Sequence, residues 1–218
     1  IEEAPSPTLT PEVRNKMGKS AVDIAKGVGY NSVGTIEFLV DNDLNYYFLE
    51  MNTRIQVEHP VTELVTGIDL VEEQIYIAAG NKLRLKQEEV KQSGNAIESR
   101  IYAEDPANNF LPHPGLISLL LFPEGKNIRI DSSIDRVTTI HSFFDPMISK
   151  LIVWEKTRDK AIELSIKSLK EFVIHGIKTN ITFLINVLEH PTFRENKLST
   201  KFCDEHIDDI LTEEIIAK

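Results

Sequence analysis

The sequence has a single cysteine, Cys203, so no disulfide can form within the chain, and no Cys/His grouping has zinc-ligand spacing. That suits a reducing compartment, and the cytoplasm is the default location. Basic residues are in the minority: 24 Lys and Arg stand against 34 Asp and Glu, a formal net charge of −10. No overall basic field is available to gather phosphates, so nucleic acid is not an expected partner. Long hydrophobic runs are missing as well. The longest, Leu116 to Phe122 interrupted by Ser118, falls far short of the roughly 20 residues a membrane helix needs, and no membrane span is expected. The opening Ile-Glu-Glu-Ala-Pro-Ser-Pro has neither an initiator Met nor a basic-then-apolar leader, and reads as a point inside a longer polypeptide. What remains is 218 residues with 41% hydrophobic and 27% charged side chains, enough for a substantial core in one or two domains.

Thr10-Pro11-Glu12 places an N-cap before a proline at the first helical position, and the apolar residues Val13, Met17, Ala21, Ile24, Ala25 and Val28 continue it. This predicts a helix over 11–27. Two β-branched and aromatic runs, 34–40 and 46–51, flank Asp41-Asn42-Asp43-Leu44-Asn45 and predict an antiparallel hairpin. Asp69 caps a further helix that runs to Gly80. Beyond about residue 90 the texture becomes that of an antiparallel sheet, with strands expected over 96–104, 116–122, 127–131, 137–140 and 150–154. Thr157 caps a periodic helix expected to end near Gly176, and Asn180 starts another that stops before Pro191. The fold class is α/β (α+β), with one domain over 1–90 and a second over 91–218.

The chemistry concentrates in Phe48 to Pro60. If the segment is extended, Glu50, Asn52, Arg54, Gln56 and Glu58 share one face while Met51, Ile55 and Val57 take the other. A solvated edge strand gives the same alternation. Symmetric pairing about a turn centred between Asp43 and Leu44, however, sets Glu37 opposite Glu50. Directly opposed carboxylates repel, which invites a cation between them. Two carboxylates with the amide oxygen of Asn52 form a hard donor set suited to Mg²⁺ or Mn²⁺, ions that complete their shells with water and phosphates. Arg54 adds a planar fork for a small oxyanion, and Glu58 is a possible general base on the same surface.

The run Glu50-Met-Asn-Thr-Arg-Ile-Gln-Val-Glu-His-Pro-Val-Thr-Glu63 closely resembles the signature of the biotin carboxylases of the ATP-grasp superfamily. Glu3-Ala-Pro, Gly34-Thr-Ile-Glu-Phe, Arg100-Ile-Tyr-Ala-Glu-Asp-Pro, Phe110-Leu-Pro-His-Pro-Gly, Asp145-Pro-Met-Ile-Ser-Lys and Gly176-Ile-Lys-Thr-Asn resemble the family in the same order. Met51-Asn-Thr-Arg and His59-Pro look more like the acyl-CoA carboxylases, including acetyl-CoA carboxylase, than pyruvate carboxylase. The resemblance implies the end of an ATP-grasp domain over 1–90 and the biotin carboxylase C-terminal domain over 91–218. It also implies carboxylation of biotin on a carrier protein, with ATP and bicarbonate forming carboxyphosphate. Glu37, Glu50 and Asn52 would hold Mg²⁺ or Mn²⁺ on the ATP phosphates, Glu37 and Glu50 being the residues that reach the nucleotide through it. Arg54, Gln56 and the Val57 backbone would hold bicarbonate, Glu58 would take its proton, and Arg129 would steady the biotin enolate. Expected partners are a biotin carboxyl carrier protein, carboxyltransferase subunits or domains, and a second copy in a homodimer. The family's amino-terminal domain and glycine-rich lid are not in this sequence, so the chain alone is expected to be inactive. The alternative readings are a non-catalytic C-terminal assembly or dimerisation module, or the biotin carboxylase part of a pyruvate carboxylase. The six histidines, Arg100, Glu104, Asp105 and Lys150 are expected to be structural or surface groups, and Trp154 core or subunit interface.

Overall fold

The computed structural model describes residues 1–211. These divide into two compact units: a hairpin unit, Pro5–Ser93, and a sheet unit in which Ile1–Ala4 joins the chain from Gly94 onward. The first strand, β1 (Glu2–Ala4), therefore belongs to the sheet unit, where it pairs with a strand almost a hundred residues later.

The hairpin unit begins with α1 (Pro11–Gly27), whose Thr10 Oγ1 accepts from the Val13 N–H as expected. No residue of α1 is buried. Strands β2 (Thr35–Val40) and β3 (Tyr46–Asn52) form a two-stranded antiparallel ribbon. Its turn is held by Asp41, whose carboxylate accepts from the backbone N–H groups of Asp43 and Asn45 and from the Asn45 amide. Those donors, the Asn45 side chain foremost, hold the Asp41 carboxyl below its ordinary range. Helices α2 (His59–Thr66) and α3 (Leu70–Ala78) complete the unit. Asp69 caps α3 by accepting from Glu72 N–H at 2.7 Å, and Glu63, reaching from α2, accepts from Leu70 N–H at 2.7 Å. Among the described residues, the buried apolar side chains of this unit are Val61 and Val65, beside Pro60.

The sheet unit is built on β4 (Asn95–Tyr102), β9 (Ile128–Ser132) and β11 (Met147–Glu155), in the order β1-β4-β11-β9 with all neighbours antiparallel. Small ribbons surround it: β5 (Glu104–Asp105) pairs with β6 (Leu111–Pro112), and β7 (Gly115–Leu116) with β10 (Thr139–Ile140). β8 (Leu119–Leu121) pairs with β12 (Val173–His175). One face of the large sheet carries Ile97, Ile101, Leu151 and Val153 against Ala161, Ile162, Ile166 and Leu169 of α4 (Arg158–Glu171). Helices α5 (Ile181–Glu189), α6 (Pro191–Arg194) and α7 (Phe202–Ile210) extend that core through Leu184, Val187, Leu188, Phe193, Phe202 and Ile210.

Two expectations change here. The helix after Thr157 ends at Glu171, not near Gly176, because Val173–His175 leaves it to pair with β8. Gly176, at φ +101°, passes so close to β7 that a Cβ would collide with the Leu116 carbonyl. Asn180 stands at the N-cap position of α5, as expected, and its side chain accepts from Tyr102 N–H and donates to the Arg100 carbonyl, which ties α5 to the end of β4. The expected strand over 116–122 is interrupted between β7 and β8, since Ile117 and Ser118 bond to different neighbours.

Candidate functional site

The hairpin pairs Glu37 with Glu50 as the sequence predicts, by a different route. The outer pairs Phe38↔Phe48, Leu39↔Tyr47 and Val40↔Tyr46 are symmetric about Asp43 itself, not about the bond after it. A bulge at Leu49 then adds one residue to β3, and the inner pairs Glu37↔Glu50, Ile36↔Met51 and Thr35↔Asn52 follow. The bulge is what makes the two carboxylates meet.

They share a donor. Asn52 Nδ2 donates to Glu37 Oε1 at 2.8 Å and to Glu50 Oε1 at 3.0 Å, so a single amide nitrogen reaches both. Gln56 Nε2 donates to the same Glu37 oxygen at 2.7 Å. The amide oxygen of Asn52 points the other way and accepts from Arg54 Nη2 at 3.2 Å, while Arg54 Nη1 donates to the Ile55 carbonyl. The expected metal-facing oxygen of Asn52 is thus an N–H group here, because facing carboxylates draw donors. The donor set still fits a hard divalent cation, since half a turn of the Asn52 amide would bring its oxygen to the two carboxylates.

The extended reading of 48–60 holds only to Asn52. Beyond it the chain turns at Val57 and Glu58 and enters α2, so Arg54, Gln56 and Glu58 do not share a strand face with Glu50. They gather by the turn instead. Glu37, Gln56, Glu58 and His59 line one cavity of about 520 Å³, with Thr35 and Thr62 among its walls. Glu58 occupies the N-cap position of α2 without capping it through its side chain, and Val57 beside it is half-buried. His59 Nδ1 lies 2.7 Å from the Gln56 carbonyl, which orients the ring at the mouth of the helix. Arg54 is exposed.

Arg129 belongs to the sheet unit, on the sheet face opposite α4. It holds Asp131 with both prongs, Nε at 2.7 Å and Nη2 at 2.9 Å, as their alternation along β9 predicts. Burial pushes the Asp131 carboxyl up, but the hydrogen bond and charge of Arg129, with Lys150, outweigh it and hold the group below its ordinary range. Of the charged residues expected to be structural, Arg100 pairs with Glu2, Asp105 with Lys178, and Lys150 with Asp131 at 3.4 Å. Two groupings escaped the sequence. Glu98, fully buried on β4, shares the face of Arg129. His190, His206 and Asp209 bring possible ligand atoms within 4.8 Å of one another, although their spacing in the sequence does not show it. His190 already accepts from Thr192 N–H, and both rings pack on Phe202, contacts that account for their placement.

A hairpin with convergent carboxylates, an amide and guanidinium at its exit, and a following antiparallel sheet unit are the features of an ATP-grasp ligase. Residues 1–86 match the family described as carbamoyl-phosphate synthase L chain, ATP binding domain, and residues 98–205 match the biotin carboxylase C-terminal domain. The chain belongs to the biotin carboxylase family. It is 52% identical over 207 residues to biotin carboxylase 1 of Bacillus subtilis, covering 94% of this chain and 46% of that protein. It is 49% identical to a pyruvate carboxylase subunit from Methanothermobacter thermautotrophicus, over 94% of this chain and 42% of that protein. The biotin carboxylase domain dimer of Hydrogenobacter thermophilus 2-oxoglutarate carboxylase, solved with MgADP, ADP and bicarbonate, superposes with a TM-score of 0.93 at 44% identity, over 95% of this chain and 46% of that one. The chain therefore spans about half the length of the curated relatives it matches.

Proposed function

We propose that this chain carries the metal and bicarbonate residues of a biotin carboxylase that carboxylates biotin on a carrier protein at the expense of ATP. Glu37, Glu50 and Asn52 would hold Mg²⁺ or Mn²⁺, which when bound neutralises phosphate charge on the nucleotide. Arg54, Gln56 and the Val57 backbone hold bicarbonate, the guanidinium matching its planar oxygens. Glu58 takes the bicarbonate proton, leaving a dianion able to attack the terminal phosphorus of ATP and form carboxyphosphate with loss of ADP. Arg129 stabilises the oxyanion of the biotin ureido group once its nitrogen is deprotonated, a task suited to a charge that does not titrate near neutrality.

The observation that carries this reading is the single amide of Asn52 closing the Glu37–Glu50 pair, with Glu58 on the cavity that Glu37 and Gln56 line. The relatives solved with MgADP and bicarbonate, or as the biotin carboxylase subunit of pyruvate carboxylase, support it. On the same footing we place the division near residue 90, the acyl-CoA rather than pyruvate subgroup on Met51 to Arg54, a cytoplasmic location, a homodimer, and carrier and carboxyltransferase partners. The chain by itself is proposed not to turn over, because the residues above do not include a grip on the adenosine.

The test is bicarbonate-dependent ATP cleavage with free biotin, measured on this chain and on a full-length enzyme carrying it. Turnover only in the longer protein, lost on Arg54→Ala by about 10²–10³-fold, is the expected result. An Arg54→Ala enzyme with normal rates ends the bicarbonate assignment. Turnover by the chain alone ends the inactivity proposal.

A further inference from the structure

Glu98 sits in the middle strand pair of the sheet with no exposed surface, and among the described residues neither carboxylate oxygen has a hydrogen-bond partner. The cation facing it is Lys150, with Nζ at 4.0 Å. As a structural element this is a poor choice: burying a carboxylate without donors is costly, and an apolar residue of the same size would serve a sheet better. The register shows what surrounds it. Glu2 of β1 stands opposite it on one side, Arg100 follows on its own strand, Lys150 lies diagonally on β11, and Asp131 comes next on β9. Lys150 is 3.4 Å from Asp131, and Asp131 is the residue that grips Arg129. A chain of alternating charge thus runs from Glu98 through Lys150 and Asp131 to Arg129.

We infer that Glu98 is a positioning residue: by competing with Asp131 for Lys150 it sets how tightly Asp131 holds Arg129, and so how readily that guanidinium turns to an oxyanion. The inference rests on the proposed role of Arg129. When Glu98 is neutral, Lys150 stays with Asp131 and shares the carboxylate that Arg129 needs. When Glu98 is ionised, Lys150 is drawn toward it and Asp131 closes on Arg129 alone. Burial, the largest influence, pushes the Glu98 carboxyl up to about 7 against the pull of Lys150 and Arg100, while Glu2 and Asp131 add to the rise. The exchange therefore falls in the neutral range, and the arginine is freest on its acid side.

The direct test follows the Glu98 carboxyl carbon and the Arg129 Nε–H resonance by NMR in this chain, from about pH 5.5 to about 8.5. The two signals should move with one midpoint, and Glu98→Gln should flatten the Arg129 response. An Arg129 signal that stays still while Glu98 titrates in the unaltered chain overturns the inference, whether or not the variant folds. In a full-length enzyme, KM for free biotin should rise about threefold through that midpoint and lose its slope in Glu98→Gln, with biotin-independent ATP cleavage unchanged. A KM slope that persists in Glu98→Gln also overturns it. Arg129→Ala separates the two readings: an unaltered biotin KM in that variant defeats the role given to Arg129, and leaves the NMR coupling to be judged by itself.

Discussion

The hairpin unit and the sheet unit put their side chains to different use. In the hairpin unit, Val61 and Val65 are the buried apolar side chains among the described residues, whereas Leu39, Tyr47, Phe48, Leu49, Val71 and Ile75 are exposed. Glu37, Gln56, Glu58 and His59 of the same unit line one cavity. The sheet unit has a continuous core from Ile97 to Ile210, and its charged face is set on strands that the core holds in register. A site made of Asn, Gln, Arg and Glu on a turn depends on local hydrogen bonds for its shape, while one set on central strands inherits the rigidity of the packing beneath it. The proposed chemistry lies mostly in one unit and the buried core mostly in the other.

Glu58→Gln should make the largest difference. The amide keeps the size and polarity of the side chain but cannot take a proton, so bicarbonate-dependent ATP cleavage by a full-length enzyme should fall by about 10²–10⁴-fold. Because the substitution keeps the size of the side chain, the unfolding free energy should change by no more than about 1 kcal/mol. A variant that kept its activity, or lost it only by unfolding, would break the division between the units. Leu151→Ala asks the converse question. Leu151 is fully buried between β4 and β9, and truncation should cost about 2–5 kcal/mol in denaturant titrations. A loss under about 1 kcal/mol, on the order of a surface change, would show that the sheet is not the stabilising element claimed for it.

Glu98 gives a third, pH-dependent contrast. Its carboxyl lies near its ordinary 4.5 when the chain is unfolded and at about 7 when folded. Between those values the folded state binds more protons than the unfolded one, so the group's penalty is absent at low pH and grows as pH rises, reaching its full size above 7. The stability of Glu98→Gln relative to the unaltered chain should therefore increase with pH across that window, by on the order of 3 kcal/mol. A difference that is flat with pH would mean the buried carboxyl does not titrate there.

How much of this is legible in the sequence also differs between the units. The hairpin is written in the two β-branched runs around Asp41 to Asn45, and the facing carboxylates follow from near-symmetry; the Leu49 bulge is not, because nothing in its residue type distinguishes it from a paired leucine. Helix α2 hides for a different reason. Glu50 to Glu58 alternates polar and apolar residues as a strand would, and Pro60 reads as a breaker, although a proline in the first helical turn loses no hydrogen bond. In the sheet unit the strands and α4 are visible locally, yet Phe172-Val173-Ile174 continues the apolar pattern of the helix, so β12 cannot be told from it without its partner β8. The charged face is the least legible part. Glu2, Glu98, Arg129 and Lys150 share one face only through the order β1-β4-β11-β9, in which β1 pairs with a strand almost a hundred residues later and β4 with one from which β5 to β10 separate it.

The smallest expected effect compares the units most directly, because the same substitution can be made in both. Thr10 and Thr157 each cap a long helix through the side-chain oxygen, at 3.3 Å from Val13 N–H and 3.4 Å from Lys160 N–H. Replacing either by Ala removes one acceptor and should cost about 1 kcal/mol. The consequences should differ in kind. α4 lays Ala161, Ile162 and Ile166 into the core, so Thr157→Ala weakens a helix whose loss exposes the whole sheet, and protection against hydrogen exchange should fall throughout β4 and β11. α1 has no buried residue, so Thr10→Ala should speed exchange only in its own first turns. If Thr10→Ala instead lowered protection in the hairpin and α2 by the same amount, α1 would be an integral part of that unit's stability, and its thin packing would be a poor guide to how it holds together.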